Sequence, residues 1–151
     1  MGWTVDAAKK VAHLMNPRDQ AQIAPETLTS EFYARHPEYA PVSPPPKTDR
    51  LERDEQREFA SWLLLQNSKG RQIPFVWHST AHRSKATPGT PDFLVGIAGT
   101  WLCIEFKRDY TCELSPDQQE FCERCLAQRL AFHVVYGAAE AIKLVEQTDS
   151  L

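Results

Sequence analysis

The chain has 151 residues, 42% hydrophobic and 25% charged, with a formal net charge of -3. That length supports one core of ordinary size and excludes two full domains. No run approaches the roughly 20 apolar residues that span a bilayer, and Met1 to Leu14 carries Asp6, Lys9 and Lys10 where a signal peptide needs an apolar stretch. The expectation is a soluble protein with no membrane partner. Four cysteines (Cys103, Cys112, Cys122 and Cys125) are too few for a disulfide framework and point to free thiols in a reducing compartment, the cytoplasm. The net charge excludes a wholesale nucleic-acid coat but leaves room for a local basic groove.

Seven of the 11 prolines fall before residue 50, which marks residues 1–48 as an appendage. Within it Trp3, Ala7, Val11 and Leu14 recur at helical spacing behind Thr4, predicting a short amphipathic helix whose stripe must dock on something. Pro44-Pro45-Pro46 reads as a stiff extended linker. A compact domain over 49–151 follows. From Asp49 to Gln66 the spacing predicts a helix with Glu52, Gln56, Phe59 and Leu63 on one face. Ile73 to Ser79 reads as a strand and Thr80 to Thr90 as a polar loop. Phe93–Ile97 and Trp101–Phe106 are two β-rich runs around Ala98-Gly99-Thr100, a hairpin signal.

Ser115-Pro116-Asp117-Gln118 opens the next helix as a capping box with proline at its first position, and Phe121, Cys122, Cys125 and Leu126 supply its buried face. Phe132–Tyr136 is a final strand, Gly137 a turn and Ala138–Gln147 a closing helix. The order of helix, three strands, helix, strand and helix predicts an α/β sandwich, a small mixed sheet with one helix on each face.

Strand alternation puts Glu105 and Lys107 on one face, with Phe106 on the other, and Asp92 begins the partner strand. Carboxylates that converge repel unless a cation lies between them, and one or two carboxylates with water suit Mg²⁺. Such an ion activates water and stabilises the charge of a phosphoryl-transfer transition state, so the chemistry implied is phosphodiester hydrolysis. A lone Asp at a strand start and a Glu-x-Lys on a strand are also common surface patterns. Trp101 and Cys103 share the face of Glu105 and Lys107, however, and charges on an otherwise apolar strand are costly unless they work together.

The run Thr87-Pro88-Gly89-Thr90-Pro91-Asp92-Phe93-Leu94-Val95-Gly96, then Ile104-Glu105-Phe106-Lys107, then Leu114-Ser115-Pro116-Asp117-Gln118, resembles the VRR-NUC (virus-type replication-repair nuclease) family of the PD-(D/E)XK superfamily. The resemblance covers about the last 100 residues, and Glu52 and Gln56 match the family's helix signature. It implies a restriction-endonuclease-like α-β-β-β-α-β-α core. By it, Asp92, Glu105 and the Phe106 carbonyl would hold Mg²⁺ or Mn²⁺, Glu52 would complete the site, and Lys107 would position or activate the attacking water. Gln118 matches a family glutamine with a catalytic part, while the capping box alone also accounts for it.

The expectation is a metal-dependent DNA endonuclease without a small-molecule cofactor, selective for branched DNA like a Holliday-junction resolvase. It would act as a homodimer in a bacterial or phage-infected cell, with the stripe from Trp3 to Leu14 in its interface. The rivals are a flap- or duplex-directed nuclease, a DNA-binding protein that kept the fold without cleaving, and a module recruited through the proline-rich appendage.

Between Gln66 and Pro91 there is no Asp or Glu, whereas Lys69, Arg71, Arg83 and Lys85 are basic, with His78 and His82 nearby. Beside the carboxylates this stretch is expected to contact the phosphate backbone; alone, it reads as a solvated basic loop. Phe75 and Trp77 are expected in the core of the first strand. Cys122-x-x-Cys125 falls on the apolar face of a helix, so core thiols are expected there in place of a zinc site.

Overall fold

A computed structural model of the chain describes residues 31–40, 50–78, 87–108 and 112–151. The predicted Trp3–Leu14 helix, the Pro44–Pro46 linker, and His82, Arg83 and Lys85 lie outside the described residues.

Helix α1 spans Glu52–Ser68. Glu52, Asp54 and Glu55 in its first turn favour the positive end of the helix dipole, and Gln56, Phe59, Ala60 and Leu63 form its buried stripe. Beyond its end, the Asn67 side chain accepts from the Ile73 amide (2.6 Å) and donates to the Ile73 carbonyl (2.8 Å), turning the chain back towards the sheet. Strand β1 is therefore only Phe75–Trp77, shorter than the predicted Ile73–Ser79. Ile73 is already committed to Asn67, and Pro74 has no amide to give a ladder.

Strands β2 (Phe93–Ile97) and β3 (Thr100–Phe106) form the expected hairpin. Its two-residue loop, Ala98-Gly99, has φ of 50° and 76°, the doubly positive pair that matches the twist of the flanking strands. Helix α2 (Pro116–Ala127) crosses to β4 (Ala131–Val135), which lies parallel to β3, and helix α3 (Ala138–Asp149) closes the chain. The four-stranded sheet has the order β1-β2-β3-β4, antiparallel except for the last pair. The protein is thus mixed α/β with a mixed sheet flanked by helices.

Alternation along β3 divides the core in two. Leu102, Ile104 and Phe106 join Phe93, Val95 and Val135 under α1 and α3, where Phe59, Phe93 and Phe106 meet with ring centroids 4.9 to 5.8 Å apart. Cys103 points the other way, into a cluster with Cys122, Cys125, Phe132, Leu114 and Phe32. One expectation is corrected: α3 shares a face with α1, so the helices do not divide one to each face. The Glu55 carboxylate on α1 accepts the Ala138 amide at 2.7 Å, docking the start of α3 beside α1.

The cluster containing Phe32 also joins part of the proline-rich region to the fold. Phe32 is 1% exposed. The Tyr33 hydroxyl accepts from the Leu114 amide (2.9 Å), the Tyr39 hydroxyl donates to the Phe132 carbonyl (2.7 Å), and Arg35 pairs with Glu123. Residues 31–40, which composition assigns to the appendage, therefore complete the core on the α2 face. No helix among the described residues is long and apolar enough to cross a membrane.

Candidate active site at the ends of β2 and β3

Phe93 pairs with Ile104 across the hairpin, so Asp92 and Glu105 stand opposite one another one step beyond that pair. Phe93 and Ile104 face the α1 side, and alternation turns both carboxylates towards the α2 side. Each residue is 1% exposed. The Asp92 carboxylate accepts from the Phe106 amide through Oδ2 at 2.9 Å, which ties it to the backbone between Glu105 and Lys107.

Glu105 sits in a compact polar group with Lys107 and Gln118. The Lys107 ammonium lies 3.3 Å from Glu105 Oε1 and donates to Gln118 Oε1 at 2.9 Å, while Gln118 Nε2 donates to Glu105 Oε1 at 2.5 Å. Gln118 also caps α2: its Oε1 accepts from the Ser115 amide (2.9 Å), and Ser115 Oγ accepts from the Gln118 amide (3.2 Å). The capping and site readings of Gln118 are thus compatible, because one side chain makes both sets of contacts. The neutral amide bridges the two members of this ion pair and holds each by a hydrogen bond.

The start of α2 is itself supported from two directions. Gln119, 4% exposed, donates to the Leu114 carbonyl at 2.8 Å, and Tyr33 takes the Leu114 amide. On the other side Gly89, with φ of 81°, lies so close that a Cβ there would be 2.1 Å from the Asp117 carbonyl oxygen. The loop leading to Asp92 therefore rests on the turn that presents Gln118.

Glu52 occupies a different neighbourhood. It accepts from Gln56 Nε2 at 3.4 Å, and Gln56 Oε1 in turn accepts the Trp77 indole N–H at 3.1 Å. Among the described residues no three His, Cys, Asp or Glu side chains form a group that could hold a metal ion, so Glu52 does not join Asp92 and Glu105 in one cluster. The groups here that could serve a metal are two buried carboxylates and the Phe106 backbone. Such a set fits Mg²⁺, which is usually bound by one or two carboxylates with water and substrate oxygens completing its shell.

The basic residues divide between the two ends of the sheet. Trp77 pairs with Phe93, which puts His78 at the carboxylate end, where its backbone amide donates to the Asp92 carbonyl at 2.8 Å. Lys69 and Arg71 precede Pro74, whose carbonyl accepts from Gly96 at the opposite end of β2. Arg71 is also employed structurally, with Asp149 at 2.7 Å, Gln66 at 3.3 Å and its guanidinium over the Trp62 ring. The structure therefore does not bring Lys69 and Arg71 to Asp92 and Glu105. Trp77 stacks on Phe93 at 5.7 Å and Phe75 packs on the same core, as expected of strand residues.

Cys103, Cys122 and Cys125 are buried thiols, with Cys103 and Cys125 sulfurs 3.5 Å apart. Burial pushes the Cys103 and Cys122 thiols up to about 12. Sequence reasoning missed the support given by Phe32, Tyr33 and Tyr39. The signal was the aromatic spacing Phe32, His36, Tyr39, a helical i, i+4, i+7 pattern inside a proline-rich region. No protein-family model, curated protein or solved structure matches the chain.

Proposed function

We propose that this chain is a metal-dependent DNA endonuclease with a restriction-endonuclease-like core, acting on branched DNA as a homodimer. The observation that carries the reading is the buried pair Asp92 and Glu105, at facing ends of adjacent strands, with Lys107 within 3.3 Å of Glu105. The order of one helix, three strands, a helix, a strand and a helix supports the fold assignment, as does the resemblance of the Asp92, Glu105 and Lys107 segments to VRR-NUC nucleases.

In this reading Asp92, Glu105 and the Phe106 carbonyl hold Mg²⁺ or Mn²⁺. The bound ion supplies Lewis-acid stabilisation of the phosphoryl oxygens and a lowered pKa for a coordinated water. Lys107 would orient the attacking water as an ammonium, or take its proton at Nζ as the neutral amine, and Gln118 holds Nζ in place. The Phe106 amide keeps the Asp92 carboxylate turned to the same place. Two equivalent cuts on a two-fold junction require two such sites related by a two-fold axis, hence the homodimer.

The test is cleavage of a labelled four-way junction, with duplex, flap and single-stranded controls, in Mg²⁺, Mn²⁺ or EDTA. Symmetric metal-dependent cuts, lost in Lys107→Ala, are expected, with a dimer mass in light scattering. Cutting of flaps or duplex alone overturns the junction preference, and no cutting with any metal overturns the nuclease.

A further inference from the structure

We infer that His78 is a positioning residue for Asp92, acting through its Nδ1–H; the inference rests on the metal-site reading above. His78 Nδ1 lies 3.0 Å from the Pro91 carbonyl oxygen, and its backbone amide donates to the Asp92 carbonyl at 2.8 Å. A carbonyl oxygen only accepts, so the proton of this contact sits on Nδ1. One residue thus holds the carbonyls on both sides of the Asp92 Cα.

The consequence for Asp92 is directional. The Pro91 carbonyl belongs to the peptide plane that enters Asp92, and the orientation of that plane sets the φ of Asp92 and with it the direction of its Cα–Cβ bond. At the far end of the side chain the Phe106 amide holds Oδ2 at 2.9 Å. Asp92 is therefore braced at its backbone by β1 and at its carboxylate by β3. The ladder bond from the His78 amide would survive any side-chain change, whereas the imidazole contact to Pro91 is specific to this side chain. His78 Nε2 has no hydrogen-bond partner among the described residues, which allows the two ring nitrogens to be tested apart.

Asparagine and glutamine separate them. The side-chain amide of Asn can place a donor where Nδ1 stands and offers nothing at Nε2, while Gln reaches the Nε2 position and abandons Nδ1. The experiment titrates full-length wild type, His78→Asn and His78→Gln with Mn²⁺ in the absence of DNA, reading free Mn²⁺ by electron paramagnetic resonance, with near-ultraviolet circular dichroism reporting the fold. The expected result is wild-type affinity for His78→Asn and about tenfold weaker binding for His78→Gln, the scale typical of losing a group that orients a ligand.

Wild-type affinity in His78→Gln overturns the positioning role and leaves the metal site standing. Binding in His78→Asn as weak as in His78→Gln also overturns it, because the donor at Nδ1 would then not be what matters. Absence of Mn²⁺ binding by the wild type overturns the metal-site reading and this inference with it.

Discussion

Replacing Lys107 by methionine keeps most of the apolar stem and removes its charge, deleting the ammonium that lies 3.3 Å from a Glu105 side chain only 2% exposed. Breaking a buried pair in this way typically costs about 3–5 kcal/mol. Two features reduce that figure here: Lys107 is 13% exposed, so its own desolvation is incomplete, and Gln118 Nε2 still donates to Glu105. The expected loss is about 2–3 kcal/mol, which for a chain of this size lowers the melting temperature by roughly 6–10 °C. The assay is urea and thermal unfolding in EDTA. A Lys107→Met protein within about 0.5 kcal/mol of wild type, the ordinary range for a surface substitution, would refute the reasoning. Added Mn²⁺ then gives a second reading. A cation taking the place of the ammonium should restore stability in proportion to its binding, about 2.7 kcal/mol at a hundred times the dissociation constant. The recovery should exceed the gain in wild type, since the repelling lysine charge is gone. Loss without recovery would show a structural ion pair and withdraw this support from the metal site.

Other outcomes follow from the same geometry. A chain beginning at Lys47 lacks Phe32 and both tyrosine hydroxyl contacts; a buried phenylalanine alone is worth about 3–5 kcal/mol, so this fragment should melt far below the full chain or lose its near-ultraviolet dichroism. Gly89→Ala combines φ of 81° with a Cβ 2.1 Å from the Asp117 carbonyl oxygen, and differential scanning calorimetry should register a loss of about 1–3 kcal/mol or more. The thiols supply a pH test. Cys103 and Cys122 rise from 9.0 to about 12 on burial, so the folded state keeps protons that the unfolded state releases. Their contribution is intact below pH 9 and is lost as the pH climbs towards 12; Cys103→Ala, compared with wild type in urea melts, should flatten that decline.

Much of the site was legible because it depends on short-range rules. Period-two alternation put Glu105 and Lys107 on one face, the hairpin signal at Ala98-Gly99-Thr100 made the strands of Asp92 and Glu105 neighbours, and the Ser115 to Gln118 spacing located the helix cap. The register that sets Asp92 against Glu105 comes from the shorter turn at Ala98-Gly99, with Thr100 already in β3. Register and face were harder. The positions of Lys69 and Arg71 in the sequence suggested a basic approach to Asp92, but Gly96 lies four residue steps beyond Asp92, about 13 Å along a strand. Only the pairing of Trp77 with Phe93 reveals which end of β1 meets the carboxylates. The face taken by α3 was similarly hidden, since an amphipathic helix declares its buried stripe without declaring which side of the sheet receives it. Here the Glu55 contact to Ala138 decides. Residues 31–40 were obscured by the prolines around them, because composition averages over a segment whose structure rests on three aromatic side chains.

The surface reading of Asp92 and Glu105 makes a claim that burial can answer. Exposed acids on a strand are ordinary, and their neighbours then give no reason to single them out. At 1% exposure each, the two residues instead incur the desolvation of carboxyl groups in a small fold. Apolar side chains of similar volume in such positions are often neutral or stabilising. The surrounding residues also do more than dispose of charge: the Phe106 amide orients one acid, Gln118 and Lys107 orient the other, and Gly89, Gln119 and Tyr33 support the turn that carries Gln118. A merely tolerated acid pair would need partners but not this support behind the partners. Substituting both acids by their amides separates the cases: a nuclease site loses Mn²⁺ binding while the fold gains or keeps stability, whereas a structural polar cluster loses stability and had no Mn²⁺ affinity to lose.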